Sequence, residues 1–303
     1  MTMHIGHAAF RVRDLQASAE FSKRTLGLRS VAESSEEILL TASGKHHELQ
    51  LIAAEATALD HVGLELESEA ELQATVDRAV GAGARILDSG PPEPGFARSV
   101  RILGPAGIVY ELHTTMERPR LDVEGLLGPA VRRLGHLTFF AADHAEILTF
   151  WLDGLGFRVS DTADGVTWTR CDPDHHGLAI GPRPEGNYLH HHAWEVQDLG
   201  AMGRILDSWA VEGLRVEWGP VRHGPGANLA SYLHSPHGDV IEIYSDMLRI
   251  QDESAYQAPD WGPVESPINV WGPAPMPSLF EMGIPIAADP TPLDAVASSA
   301  VTE

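Results

Sequence analysis

His136, His191 and Glu242 sit in three apolar, strand-like runs, LGHLTFF, LHHHAWEV and GDVIEIYSDM. Two imidazoles and one carboxylate are the ligand set of mononuclear non-haem Fe(II) sites, which keep coordination positions open for substrate and oxygen. An unpaired carboxylate is costly to bury in an apolar strand, and a metal ion would remove that cost. Rigid strands are also good supports for such a ligand set.

A repeat supplies the elements that must position these residues. Four segments open alike: IGHAAFRVRDL at His7, LDHVGLELES at His61, LGHLTFFAAD at His136 and HHHAWEVQDL at His191. Their histidines are 54, 75 and 55 residues apart. Each opening alternates apolar and polar residues, the period-two signature of a strand. Helical stretches follow (ASAEFSKRTLGL, EAELQATVDRAVGAGA, AEILTFWLDGLGF, LGAMGRILDSWAVEGL), each closing near a glycine. Short strand-like runs such as EEILLTA, HELQLIA, GVTWTRC and HGLAIG come next.

The pattern predicts four copies of a strand–helix–strands unit of about fifty residues. Two copies form each half, residues 1–118 and 130–248, joined by the linker MERPRLDVEGLLGP. Residues 249–303 form a Pro-, Gly- and Trp-rich tail. Its indoles need cover, so the tail is expected to pack over the body as a candidate lid. The final AADPTPLDAVASSAVTE reads as a fraying end.

The first half offers a rival set, His7, His61 and Glu111, with gaps of 54 and 50 against 55 and 51 in the second half. Polar companions separate the two. Tyr232 lies 10 residues before Glu242 and His223 lies 19 before it, where the first half has Arg101 and Pro92. The second half is therefore expected to be catalytic, and the first to be structural and without metal. Both halves carry a histidine pair, His46–His47 and His175–His176.

Composition narrows the function classes. The net charge is −22, from 21 basic and 43 acidic side chains, which argues against nucleic-acid binding. No run of about 18 apolar residues suggests a membrane span, and the N-terminus has no signal-peptide core, so a cytoplasmic location is expected. Cys171 is the only cysteine, so no internal disulfide is possible. GPAG and GPGAN lack the Lys-Ser/Thr continuation of a nucleotide loop, and no G-x-S-x-G elbow occurs.

The motifs GHLTFF, HHGLAIGPRP, LHHHAWEV and RHGPGANLASYLHSPHGDVIEIYSDM, spaced in this order, resemble the type I extradiol ring-cleaving dioxygenases of the vicinal oxygen chelate superfamily. The resemblance spans about residues 1–250 and is densest from 134 to 247. It implies an α+β fold of four βαβββ modules paired into two open barrels. It also implies Fe(II), with Mn(II) as the other candidate, bound by His136, His191 and Glu242. His190 and His192 flank His191 and, on an alternating strand, are predicted to face away from the metal. By resemblance His176 is the acid–base residue, while His223 and Tyr232 are hydrogen-bonding companions of the metal. GPGAN stands where some relatives carry an aspartate, which puts any role of that aspartate here in doubt.

The implied reaction is ring cleavage of a catechol beside its diol by O2, giving a yellow muconic semialdehyde-type product. Implied partners are the catecholic substrate, O2 and further copies of the chain, as a homo-oligomer that could be a tetramer. The rival readings are a glyoxalase- or epimerase-like isomerase of the same superfamily and a ligand-sequestering protein that dispenses with metal.

Overall fold

The computed structural model describes residues 3–88, 94–118, 130–262 and 267–287. Most of the expected linker and the last sixteen residues lie outside the described residues.

Four modules follow one another. The first is β1 (Met3–Val12), α1 (Leu15–Leu26), β2 (Arg29–Glu33), β3 (Glu37–Thr41) and β4 (Leu49–Ala53). The second is β5 (Ala58–Leu66), α2 (Glu69–Gly81), β6 (Arg85–Asp88), β7 (Ser99–Leu103) and β8 (Val109–Thr114). The third is β9 (Arg133–Ala141), α3 (His144–Thr149), β10 (Arg158–Ala163), β11 (Val166–Arg170) and β12 (Leu178–Pro182). The fourth is β13 (Asn187–Glu195), α4 (Leu199–Val211), β14 (Trp218–Arg222), β15 (Leu229–His234) and β16 (Val240–Ser245).

Local sequence explains the helix starts. Asp14, Ser68 and Asp198 each accept a hydrogen bond from the backbone N–H three residues on, satisfying donors that a helix start leaves bare. Gly27 ends α1 with φ 69, a left-handed conformation that glycine adopts without steric cost.

Each half is one mixed sheet built the same way. The orders are β2-β3-β4-β1-β5-β8-β7-β6 and β10-β11-β12-β9-β13-β16-β15-β14. The first strands of paired modules run antiparallel at the centre, β1 with β5 and β9 with β13. Each also pairs in parallel with the last strand of its own module. The two opening strands and the closing strands are therefore neighbours, so side chains facing one way from them converge.

The halves share a core. Trp151 and Trp209 are fully buried, and both donate across the boundary, to Tyr110 Oη at 2.6 Å and to the Thr25 carbonyl at 2.9 Å. After α3 the chain takes a π-helical turn, Phe150–Leu155. Its Gly154 and Leu155 carbonyls accept from Arg78 of the first half at 3.0 and 2.7 Å. Acceptors freed by the irregular turn are satisfied by a guanidinium of the other half.

The tail packs over the second half, as its indoles led one to expect. Trp261 Nε1 donates to Asp161 Oδ2 at 2.7 Å, and Tyr256 Oη donates to Asp161 Oδ1 at 2.9 Å. A short strand β17 (Ile284–Pro285) pairs with β13. Trp271 departs from that expectation. It is 58 % exposed, with Arg222 over its ring at 5.5 Å, because a guanidinium rather than the core covers one face.

Candidate metal centre

His136 lies on β9, His191 on β13 and Glu242 on β16, three adjacent strands. Glu242 Oε2 stands 3.3 Å from His136 Nε2 and 3.0 Å from His191 Nε2. All three ligand atoms fall within 4.8 Å of one another, and all three residues are buried. Donors bonded at about 2.1 Å to one ion, at angles between octahedral and tetrahedral, stand about 3.0–3.4 Å apart. Both carboxylate–imidazole separations match that range, as a divalent ion held by this donor set requires. Burial opposes ionisation of Glu242, yet His136 and His191 more than offset it and hold the carboxyl well below the usual carboxylate range.

The glycine before the first histidine has a packing reason. A Cβ on Gly135 would meet Tyr244 Oη at 1.8 Å. Tyr244 lies two residues after Glu242 on the same strand, so the Gly-His dipeptide lets a closing-strand side chain lie against the opening strand.

His176, His223 and Tyr232 line one cavity with the three ligands. His176 packs beside His136, with ring centres 4.2 Å apart. Its Nδ1 lies 3.0 Å from His175 Nδ1, and His175 Nε2 lies 3.1 Å from Asp161 Oδ1, off the hydrogen-bonding axis. Burial, then the neighbouring His136, push His176 well below the ordinary imidazole value. His223 Nε2 lies 2.8 Å from Tyr232 Oη, and His223 Nδ1 donates to the Ile268 carbonyl of the tail. Burial lowers His223 from its ordinary value and raises Tyr232, which Glu242 raises further.

Three features escaped the sequence reading. Asn228 of GPGAN donates from Nδ2 to Glu242 Oε1 at 3.3 Å. Asp161 joins His175, Tyr256 and Trp261. The third concerns His190. His192 does turn away from the site, held by Asp239 at 3.0 Å and packed on Phe10. His190 does not, and the simple alternation fails there. A register shift between Leu189 and His191 bulges β13, and His190 lines the cavity, its Nδ1 2.6 Å from His191 Nδ1. The Leu279 carbonyl of the tail holds His190 Nε2 at 2.7 Å.

The rival set of the first half also converges. His7, His61 and Glu111, on β1, β5 and β8, form a second buried cluster with ligand atoms within 4.8 Å. Its companions differ. Arg101 stands opposite Glu111 in the β7–β8 register, where Tyr232 stands opposite Glu242 in β15–β16.

Comparison with known proteins follows this duplication. The description Glyoxalase/Bleomycin resistance protein/Dioxygenase superfamily fits the chain twice, over residues 4–112 and 133–243. The chain belongs to this superfamily. Relatives aligned over most of the chain include extradiol dioxygenases. A manganese-dependent 2,3-dihydroxybiphenyl 1,2-dioxygenase of Geobacillus genomosp. 3 is 25 % identical over 287 residues, 86 % of this chain and 88 % of that one. An iron-dependent extradiol dioxygenase of Rhodococcus jostii (strain RHA1) is 25 % identical over 295 residues, 88 % and 95 % of the two chains. Among solved structures of the superfamily, the Mn(II)-bound glyoxalase from Novosphingobium aromaticivorans superposes with a TM-score of 0.85 at 25 % identity, covering 96 % of this chain and 98 % of that one. No helix among the described residues is long and apolar enough to cross a membrane.

Proposed function

We propose that this chain opens the ring of a catechol beside its diol, with O2, at Fe(II) held by His136, His191 and Glu242. Mn(II) is the alternative ion, since relatives are named for either metal. One observation carries the reading. The second-half triad shares a cavity with His176, His223 and Tyr232, three groups able to hold or move protons. Opposite Glu111 the first half has Arg101, a permanent cation.

A redox-active ion here supplies the electron relay that lets a singlet ring react with triplet dioxygen. The protein supplies proton handling and shape. His176 is kept neutral by burial, so it can take a proton from a catechol hydroxyl and return it later. Its Nδ1 faces His175, so Nε2 is the nitrogen that exchanges. The Ile268 carbonyl can only accept, so His223 carries its proton on Nδ1 and accepts from Tyr232 at Nε2. Rotation of the Tyr232 hydroxyl then offers a donor to a substrate oxygen.

The lining narrows the substrate. Phe140, Val166, Trp168 and Trp218 of the body line the cavity together with Ile268, Leu279 and Phe280 of the tail. No lysine or arginine is among the described lining residues. A carboxylated ring substituent would be buried there without a counter-charge. Catechols with apolar aryl or alkyl substituents suit the cavity, and the Geobacillus relative is named for an aryl one, 2,3-dihydroxybiphenyl. By supplying that wall, the tail acts as a lid.

Similarity to a Mn(II)-bound glyoxalase favours a second reading, a metal-dependent isomerase that consumes no oxygen. An oxygen electrode separates the two. Protein loaded anaerobically with Fe(II) and given 2,3-dihydroxybiphenyl is expected to consume one O2 per catechol and turn yellow. Metal-loaded protein that consumes no O2 across a panel of alkyl- and aryl-catechols would reject the dioxygenase reading.

A further inference from the structure

The cluster in the first half is too well built to be only packing. His7 Nε2 and His61 Nε2 lie 2.9 Å apart. Glu111 Oε2 lies 3.3 Å from the first and 3.4 Å from the second. These separations match those of donors on one face of an ion's coordination sphere, about 3.0–3.4 Å for bonds near 2.1 Å. All three residues are 0 % exposed.

The surrounding bonds point the free lone pairs at one spot. His61 Nδ1 lies 2.8 Å from Asp60 Oδ1, and Asp60 is ion-paired with Arg11 at 2.7 Å. A carboxylate can only accept, so the His61 proton sits on Nδ1 and its Nε2 is a bare acceptor. Carboxylate–histidine pairs of this kind commonly orient metal ligands. Arg101 Nε lies 3.4 Å from Glu111 Oε1, which leaves Oε2 toward the imidazoles. Asn228 does the same for Glu242 in the other half. Glu111 Oε2 has no hydrogen-bond donor, although it is wholly buried. His61 Nε2 and Glu111 Oε2 are thus two acceptors 3.4 Å apart, and His7 Nε2, at the third corner of the triangle, can donate to only one of them. A divalent cation satisfies all three.

We propose that His7, His61 and Glu111 bind a second divalent metal ion, with a structural role. The rings of His47, Phe96 and His113 close around His7, at 4.7, 6.3 and 5.2 Å between centres. A Cβ on Gly63 would meet His7 Nδ1 at 2.1 Å, so no space remains on that side either. Arg101 stands opposite Glu111 where Tyr232 stands opposite Glu242, so the hydrogen-bonding pair His223–Tyr232 of the second half has no counterpart here and the role is structural. Arg101 adds a positive charge beside Glu111 that the second half lacks, so this site binds the more weakly of the two.

Mn(II) titration tests this without any activity measurement. Chelator-stripped wild-type protein is expected to take up two equivalents, read by elemental analysis and by loss of the free-ion paramagnetic resonance signal. The Glu242→Gln variant is expected to keep one equivalent, held more weakly than the tighter ion of the wild type and lost on adding Glu111→Gln. A folded Glu242→Gln protein that binds no Mn(II), or a wild type that stops at one equivalent removed by Glu242→Gln, would overturn the proposal. A single equivalent that survives Glu242→Gln and disappears with His61→Gln would instead place the ion in the first half alone, supporting this site while removing the proposed catalytic one.

Discussion

Asn228 Nδ2 donates to Glu242 Oε1 across 3.3 Å, which leaves Oε2 of the same carboxylate to face both His136 and His191. Asn228 is 1 % exposed and lines the cavity beside the ligands. Asn228→Ala is expected to weaken metal binding roughly 10- to 100-fold, the usual cost of losing a group that orients a ligand. Anaerobic Fe(II) or Mn(II) titration reads this. An unchanged dissociation constant would show that Glu242 is oriented by its strand alone.

His176 is expected to separate chemistry from metal binding. His176→Phe removes the exchangeable proton but leaves the three ligands in place. Turnover is expected to fall by about 10²- to 10⁴-fold, the usual contribution of a positioned acid–base group, with metal content unchanged. Turnover within a factor of a few of the wild type would remove His176 from the proton path.

His223 and Tyr232 are expected to act as one unit. The Ile268 carbonyl fixes the His223 proton, and His223 in turn sets the direction of the Tyr232 hydroxyl. Single changes, His223→Phe and Tyr232→Phe, should each slow turnover, and the double change should cost far less than their sum. Hydrogen-bonded neighbours couple by about 0.5–3 kcal/mol in such cycles. Strict additivity would mean that the two groups serve the reaction independently.

Much of this arrangement was legible in the sequence. The period-two openings around His7, His61, His136 and His191 marked four strands, and all four are central strands of the two sheets. The sequence marked Tyr232 as a companion of Glu242 ten residues before it, and the β15–β16 register sets the two opposite each other. What stayed hidden depends on backbone detail or distant contact. Alternation predicted that His190 would turn away, but a one-residue bulge returns it to the cavity, and nothing in LHHHAWEV signals a bulge. Nothing in GPGAN marks Asn228, because its partner Glu242 lies on another strand. The Leu279 and Ile268 carbonyls that hold His190 and His223 have no sequence signature, since every residue has a carbonyl. The first half was expected to be without metal because its companions differ, yet its three side chains meet as closely as those of the second.

Acid is expected to loosen the tail before the sheets. Glu253 pairs with Arg170 at 2.6 Å and with Arg158 at 2.9 Å, anchoring the start of the tail to the body. Chiefly through Arg170, its pKa is lowered from 4.5 to about 2. A depressed carboxylate stabilises the fold above its unfolded value and loses that contribution as pH falls toward the folded one. The anchor is therefore complete above about pH 4.5 and fades between there and about pH 2. Glu253 is 40 % exposed, so the effect is local. Hydrogen exchange across residues 249–262 should quicken in that window, and in Glu253→Gln it should be fast already at neutral pH. Exchange that is the same in both proteins at every pH would show that Trp261 and Tyr256 hold the tail unaided.

The location of the catalytic ion is the central claim, and oxygen consumption by Glu242→Gln tests it most directly. Wild-type protein loaded anaerobically with Fe(II) is expected to take up O2 in step with appearance of a yellow ring-opened product from 2,3-dihydroxybiphenyl. Glu242→Gln, folded and given the same iron, is expected to lose that uptake by at least two orders of magnitude, on the scale of a lost metal ligand. Oxygen uptake by Glu242→Gln at close to the wild-type rate would contradict the account, because the working metal would then lie elsewhere.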